Sequence, residues 1–214
     1  KEFGNIYTRI MNPTQDAVEQ RLASLEAGVG ALLVSSGQSA TTIGLLNVAE
    51  TGDHIVASAA LYGGTFNLLK YTFAKMGIEV TFVEDQANLD EWRAAIKDNT
   101  KVLFGETIAN PKCDVLDIEG IAAIAHDAGV PLVVDNTIAT PYLIRPLEWG
   151  ADVVLHSATK YLGGHGTSIA GVIVDGGTFD YAKDPAKWPN YNEPDESYHG
   201  LRYGPDLGVG SAFG

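Results

Sequence analysis

Short apolar runs recur along the chain, at residues 31–34, 54–57, 78–83, 101–106, 130–134, 152–155 and 169–174. Most are separated by segments patterned as helices, at 13–27, 40–50, 66–76, 89–97 and 118–128. Strands that alternate with helices predict an α/β domain built on a mostly parallel sheet. Such sheets take ligands at the carboxyl ends of their strands. The residues just past those ends are Ser36 and Gly37, Tyr62, Asn110, Asp135, and the stretch from Ser157 to Lys160. Helix 13–27 carries Val18, Leu22 and Leu25 on one stripe, and Gly28 is placed to close it.

Composition excludes several classes of function. The chain of 214 residues has 27 acidic against 14 basic residues, a net charge of −13, which argues against nucleic acid or an anionic membrane as partner. No apolar run approaches the roughly 20 residues of a membrane span, and no signal-peptide pattern opens the chain. The single cysteine, Cys113, rules out an internal disulfide and suits a reducing cytoplasm. The five histidines lack metal-ligand spacing. Gly28-Val29-Gly30 precedes a strand and lacks a third glycine, so it makes no dinucleotide fingerprint. The abrupt start at Lys1 and the loop-like Gly/Pro run before Gly214 lead us to expect part of a longer polypeptide.

The stretch from Val154 to His165 concentrates the chemistry. Lys160 follows two hydroxyl residues, Ser157 and Thr159, and precedes Gly163, Gly164 and Gly166. A lysine held between a buried strand and a tight glycine loop is expected to be partly desolvated. It can then lose its proton and form a Schiff base with a carbonyl. The neighbouring hydroxyls can donate to a phosphate. A lysine beside phosphate donors points to pyridoxal 5'-phosphate (PLP), although a surface lysine can have the same local sequence. Asp135 closes an apolar strand, where an unpaired carboxylate is costly. A pyridinium nitrogen would satisfy it, and so would a helix cap or a structural hydrogen bond. Tyr62 lies at a strand-to-helix junction, where its ring could stack on a planar ligand or fill the core. Ser35-Ser36-Gly37-Gln38-Ser39 lies between a strand and a helix start, an arrangement that serves equally for anion binding and for N-capping by serine. Residues 3–14 show no period and read as an extended arm that puts Tyr7 and Arg9 on one face. There they could grip a phosphate or form an ordinary surface pair.

With these residues in place, the chain resembles the Cys/Met-metabolism family of PLP enzymes. The resemblance rests on Tyr7-Thr8-Arg9 with Asn12-Pro13-Thr14, Ser35-Ser36-Gly37, residues 61–65, Asn110-Pro111, residues 134–137 and residues 156–161. It covers nearly the whole chain, in the family's order. It implies fold type I, the aspartate aminotransferase-like PLP-dependent transferase fold. Residues 1–12 would be an arm reaching a neighbouring subunit, and residues 13–214 an incomplete PLP-binding large domain without its C-terminal partner domain.

The resemblance also implies roles. Lys160, Tyr62 and Asp135 would be catalytic: Lys160 bonds the cofactor and moves protons, Asp135 pairs with the pyridine nitrogen, and Tyr62 stacks on the ring. Asn110 would bond the ring's phenolic oxygen, and Thr137 would join the cofactor site. Ser36, the Gly37 and Gln38 backbone, Ser157 and Thr159 would hold the phosphate. Tyr7 and Arg9 would reach the phosphate of a second subunit in a dimer, within a homotetramer. Position 38 is often methionine in relatives and is glutamine here, a change that a backbone contact survives. Residues 73–82, 104–111 and 193–200 look most like O-acetylhomoserine sulfhydrylases. That subfamily replaces the acetate of O-acetylhomoserine with sulfide to give homocysteine, in the cytoplasm. The alternatives are a γ-lyase or γ-synthase of the same family, or a non-catalytic PLP-binding fragment. The arginine that binds substrate carboxylate would lie past residue 214.

Overall fold

The structure is a computed structural model and describes residues 7–210. Seven strands form one sheet: β1 (Gly30–Val34), β2 (His54–Ser58), β3 (Glu79–Val83), β4 (Thr100–Glu106), β5 (Leu132–Asp135), β6 (Val153–Ser157) and β7 (Gly171–Asp175), in the order β1-β7-β6-β5-β4-β2-β3. Strands β6, β5, β4, β2 and β3 run parallel, while β7 is antiparallel to both its neighbours. The α/β expectation therefore holds. Every residue of β2 is buried, so both faces of the sheet are covered, as a central parallel strand requires. Phe73, Trp92, Phe104, Ile121 and Leu132 are fully buried in the main core. Each such side chain contributes roughly 1.5–3 kcal/mol by leaving water.

The register fixes where the carboxyl ends lie. Val34 pairs with Gly171, and Gly171 pairs with Ser157, so the end of β1 stands level with the end of β6. Asp135 pairs with Glu106 across β5 and β4. One edge of the sheet thus collects the ends of β1, β6, β5, β4 and β2. The aromatic group Phe179, Tyr181, Trp188 and Tyr191 packs elsewhere: Lys101, at the start of β4, lies 5.0 Å over the Trp188 ring.

Helix α1 (Pro13–Glu26) departs from the expected stripe. Asn12 caps it by accepting the N–H of Thr14 and of Gln15, and Pro13 occupies its first turn. Of the stripe only Leu22 packs inward, against Val154, Val172 and Val174; the rest of the inward face is Gln15, Glu19, Ala23 and Glu26, whereas Val18 and Leu25 are 42% and 39% exposed. Polar bonds set this rotation. Gln15 Nε2 donates to the Leu33 carbonyl at 3.3 Å, and Leu33 N–H donates to Glu19 Oε1 at 2.7 Å. The helix thereby satisfies backbone groups of the edge strand β1. Gly28 closes this helix as expected, its N–H donating to the Ala23 carbonyl at 2.8 Å, while Ala27 takes the left-handed position, with φ 63°. Gly28 is needed for close approach, since a Cβ there would meet the Asp175 carbonyl oxygen at 2.7 Å.

Two other boundaries moved. Helix α2 (Gly37–Leu46) starts three residues earlier than its apolar pattern, because Ser36 caps it. Helix α3 (Gly63–Asn67) runs on into a π-helical stretch, Leu68–Phe73, where the sequence reads as one regular helix.

Candidate active site

Four neighbouring strands bring most of the candidate residues to one edge. At the end of β6, Lys160 N–H donates to the Ser157 carbonyl at 3.1 Å, and Gly163 N–H to the Ala158 carbonyl at 2.9 Å. These bonds fold residues 157–163 into a tight turn. The Lys160 side chain is exposed, contrary to the expected desolvation. The turn carries it just past the end of β6. Thr159 Oγ1 exchanges bonds with the Ala170 backbone at 3.2 Å, so its hydroxyl proton is committed to a carbonyl.

Asp135 ends β5. Its Oδ1 accepts the Thr137 N–H at 2.9 Å and the Thr137 hydroxyl at 2.5 Å. Thr137 Oγ1 in turn accepts the Ser157 N–H at 2.8 Å. Thr137 therefore links the ends of β5 and β6. Burial pushes the Asp135 carboxyl up from the ordinary aspartate range, against the opposing pull of its two Thr137 bonds. Among the described residues, Asp135 Oδ2 receives no hydrogen bond.

The first turn of α2 lies against the same corner. A Cβ on Gly37 would meet Ser157 Cβ at 2.5 Å, so only glycine lets the helix start this close to β6. Ser36 Oγ accepts the Ser39 N–H at 3.0 Å and is the N-cap. The N–H groups of Gly37 and Gln38 fall in the helix's first turn, where no intrahelical carbonyl is available. The Gln38 side chain donates to Thr65 Oγ1 at 3.0 Å and ties α2 to α3. Gly171 serves the same close approach: a Cβ there would fall inside the Ser36 carbonyl oxygen, a backbone atom that cannot swing away. Gly171→Ala is expected to cost about 1–3 kcal/mol as an overpacked site. It should also displace the start of α2. Thermal denaturation together with phosphate or cofactor binding checks this.

Tyr62 follows β2 and is 52% exposed, with its ring folded over Gly64 rather than buried. Asn110, in the loop after β4, is also exposed. Tyr7 and Arg9 behave differently. Residues 8–10 form a turn instead of an extended arm, closed by the N–H groups of Ile10 and Met11 on the Tyr7 carbonyl, each at 2.9 Å. The Arg9 guanidinium sits 5.1 Å from the Tyr7 ring centroid. Among the described residues, neither is bonded to the strand-end group. The arm's first six residues lie outside the described residues.

Two features escaped the sequence reading. Glu106, at the end of β4, is 5% exposed and accepts the Tyr62 N–H at 2.7 Å. Burial, with the charge of Asp135 beside it, pushes its carboxyl up to about 8. The argument applied to Asp135, a carboxylate closing an apolar strand, fits Glu106 equally and could have found it. The second is a buried network behind the site. Glu26 Oε1 meets His156 Nε2 at 2.5 Å and accepts from Asn136 Nδ2 at 3.0 Å. Only long-range contact joins these residues, and no local pattern signals it.

Comparison with known proteins identifies the arrangement. A family model for the Cys/Met metabolism PLP-dependent enzyme matches residues 1–202. An O-acetyl-L-homoserine sulfhydrylase of Leptospira meyeri is 55% identical over the whole chain, which covers 48% of that protein. One of Corynebacterium glutamicum is 52% identical, with 49% of its length covered. A solved chain from Campylobacter jejuni, assigned as an O-acetylhomoserine (thiol)-lyase and containing N'-pyridoxyl-lysine-5'-monophosphate, superposes with a TM-score of 0.89 at 39% identity. That superposition covers 95% of this chain and 49% of the other. The chain thus spans about half the length of the curated relatives it matches. With the fold, the order of its motifs and the family match in agreement, the chain belongs to the Cys/Met metabolism PLP-dependent enzymes.

Proposed function

We propose that this chain is the cofactor-holding part of an O-acetylhomoserine sulfhydrylase, a PLP-dependent transferase of methionine biosynthesis. One observation carries the reading. Asp135 has one oxygen fixed and the other open, and it stands on the strand next to the one that leads to Lys160. The start of α2 lies beside Ser157 in the same corner. A carboxylate, a primary amine and unpaired helix N–H groups suit a ligand that carries a basic ring nitrogen, an aldehyde and a phosphate. The relatives named O-acetyl-L-homoserine sulfhydrylase support the subfamily.

When bound, PLP supplies an aldehyde for amines and a ring that accepts electrons from substrate carbon. The chain's own residues do the rest. Lys160 Nζ would be the amine that holds the aldehyde, and as a free amine it would take a proton from substrate carbon and return it. Asp135 Oδ2 holds the proton on the ring nitrogen, while Thr137 keeps the carboxylate oriented. Gly37 and Gln38 N–H, with the Ser36 and Ser157 hydroxyls, hold the phosphate. Thr159 acts through the Ala170 bond that shapes the lysine turn. Tyr62 would stack on the ring and Asn110 would donate to its phenolic oxygen. Tyr7 and Arg9, paired with each other and exposed, serve the phosphate of a second subunit. A dimer would then complete each site, within a cytoplasmic homotetramer. Residues 1–12 are the arm of that dimer and residues 13–214 part of the large domain. No described helix is long and apolar enough to cross a membrane.

Product analysis on the whole protein tests the proposal. With O-acetylhomoserine and sulfide, homocysteine and acetate are expected as the main products. Chiefly 2-oxobutyrate and ammonia would replace the reading with a γ-lyase.

A further inference from the structure

The buried network behind the site has no place in the roles assigned above. Glu26 ends α1 and is fully buried. Its Oε1 meets His156 Nε2 at 2.5 Å and accepts from Asn136 Nδ2 at 3.0 Å. Asn136 directly follows Asp135, and His156 directly precedes Ser157, whose carbonyl closes the Lys160 turn. Asp135 and Leu155 pair in register, and successive side chains on a strand point to opposite faces. Leu155 lies against α2, where a Cβ on Gly44 would meet it at 3.1 Å. Asn136 and His156, one residue further along each chain, turn instead to the face that α1 covers, and there both reach Glu26. We propose that Glu26 is a positioning residue: from the face opposite the Asp135 side chain, its one carboxyl oxygen clamps together the two strand ends that lead to Asp135 and Lys160.

Three features support the clamp. The first is that the strand ends are joined on both faces. On the α2 face, Thr137 bonds Asp135 and takes the Ser157 N–H at 2.8 Å. On the α1 face, Glu26 joins the residues that alternate with these, Asn136 and His156. Either join alone would let the two ends rock about it. The second is that the clamp is itself held. Asn136 Nδ2 also donates to the Ile144 carbonyl at 2.9 Å, and α1 is fastened to β1 through Gln15 and Glu19. Both strand ends are thus referred to a helix fixed on a third strand. The third is energetic. Glu26 Oε2, His156 Nδ1 and Asn136 Oδ1 are buried and have no hydrogen-bond partner among the described residues. A buried polar set left partly unsatisfied adds little stability, and apolar residues of similar volume often do as well or better in its place. Stability alone therefore does not account for Glu26 and His156. Directed bonds between two particular strand ends do, since apolar contacts fix no such direction.

The clamp rests on the proposed function only for what Asp135 and Lys160 do, so it is read first without added cofactor. Hydrogen exchange of the Thr137 and Ser157 amides would be followed by mass spectrometry in the whole protein. Both amides bond on the far face, to Asp135 and Thr137, and neither bonds Glu26. Replacing both buried partners together, Glu26→Leu with His156→Leu, should keep the melting temperature within a few degrees of wild type. It should nevertheless speed exchange at both amides by about tenfold or more, the loss of one net hydrogen bond each. Glu26→Gln keeps a carbonyl acceptor and should hold both amides within about threefold of wild type. With PLP bound, the leucine pair should also lower turnover by about 10²-fold at an unchanged melting temperature, the effect of a misplacement of about an ångström. Unchanged exchange at either amide in the leucine pair, or fast exchange in Glu26→Gln, would overturn the proposal. If the leucine pair does not fold, Asn136→Ala decides, because it cuts one arm and leaves Glu26 with His156: exchange as slow as wild type at both amides would equally overturn it. Failure of PLP to bind Lys160 in the wild type would remove the cofactor reading and leave the exchange result standing.

Discussion

Lys160→Ala is expected to leave the fold intact, abolish the visible absorbance of lysine-bound PLP and lower turnover by at least about 10⁴-fold, the upper end of what a positioned proton-transfer group supplies. The fold should survive because the Lys160 side chain is exposed and the turn around it is closed by backbone bonds. A surface truncation of this kind changes stability by about 0.5 kcal/mol or less. The chemistry should not survive, because the amine removed is the one on the turn after β6, the strand paired with Asp135. Lys160→Arg separates charge from reactivity. The guanidinium stays protonated and cannot condense with an aldehyde, so this variant should be as inactive as alanine while still attracting phosphate. Absorbance spectra, melting curves and turnover on the whole protein check all three statements. Retained absorbance in Lys160→Ala would sink the assignment of this lysine.

The fold was legible because buried parallel strands and their helices leave period and punctuation in the sequence. The helix boundaries were less so. Ser36 starts α2 through its own hydroxyl, a signal present in the sequence but outweighed by the apolar run behind it. The face of α1 was misread because its rotation is set by Gln15, Glu19 and Glu26 bonding to other elements, not by its apolar residues. The site divides in the same way. Asp135 could be found because a carboxylate that ends an apolar strand demands a partner. Glu106 met the same criterion, but its partner is the backbone amide of Tyr62, and such an amide carries no sequence signature. The desolvation of Lys160 was inferred from the buried strand and the glycine loop on either side of it, but these shape the backbone turn and leave the side chain exposed. Tyr7 and Arg9 are side by side, but through a turn and a ring contact rather than an extended strand.

Asp135 gives the second large effect, and the choice of substitution decides what is learned. Asp135→Ala removes the acceptor of both Thr137 bonds and loosens the link from Thr137 to Ser157 N–H. It should cost about 1–3 kcal/mol for the donors left unpaired, in addition to any loss of chemistry. Asp135→Asn is the sharper test. An amide oxygen at the Oδ1 position keeps both Thr137 bonds, so the melting temperature should stay close to wild type. The open position then carries an NH₂ in place of a carboxylate oxygen, a donor that faces a ring nitrogen and cannot favour its protonation. PLP should still bind Lys160, and turnover should fall by about 10²–10³-fold, the size of one lost electrostatic contact to developing charge. The alanine variant should show the same loss in turnover with lower stability. Comparing the two separates what Asp135 holds together from what it does to the ring. Full activity in Asp135→Asn would leave Asp135 as a structural acceptor for Thr137 and remove its charge from the mechanism.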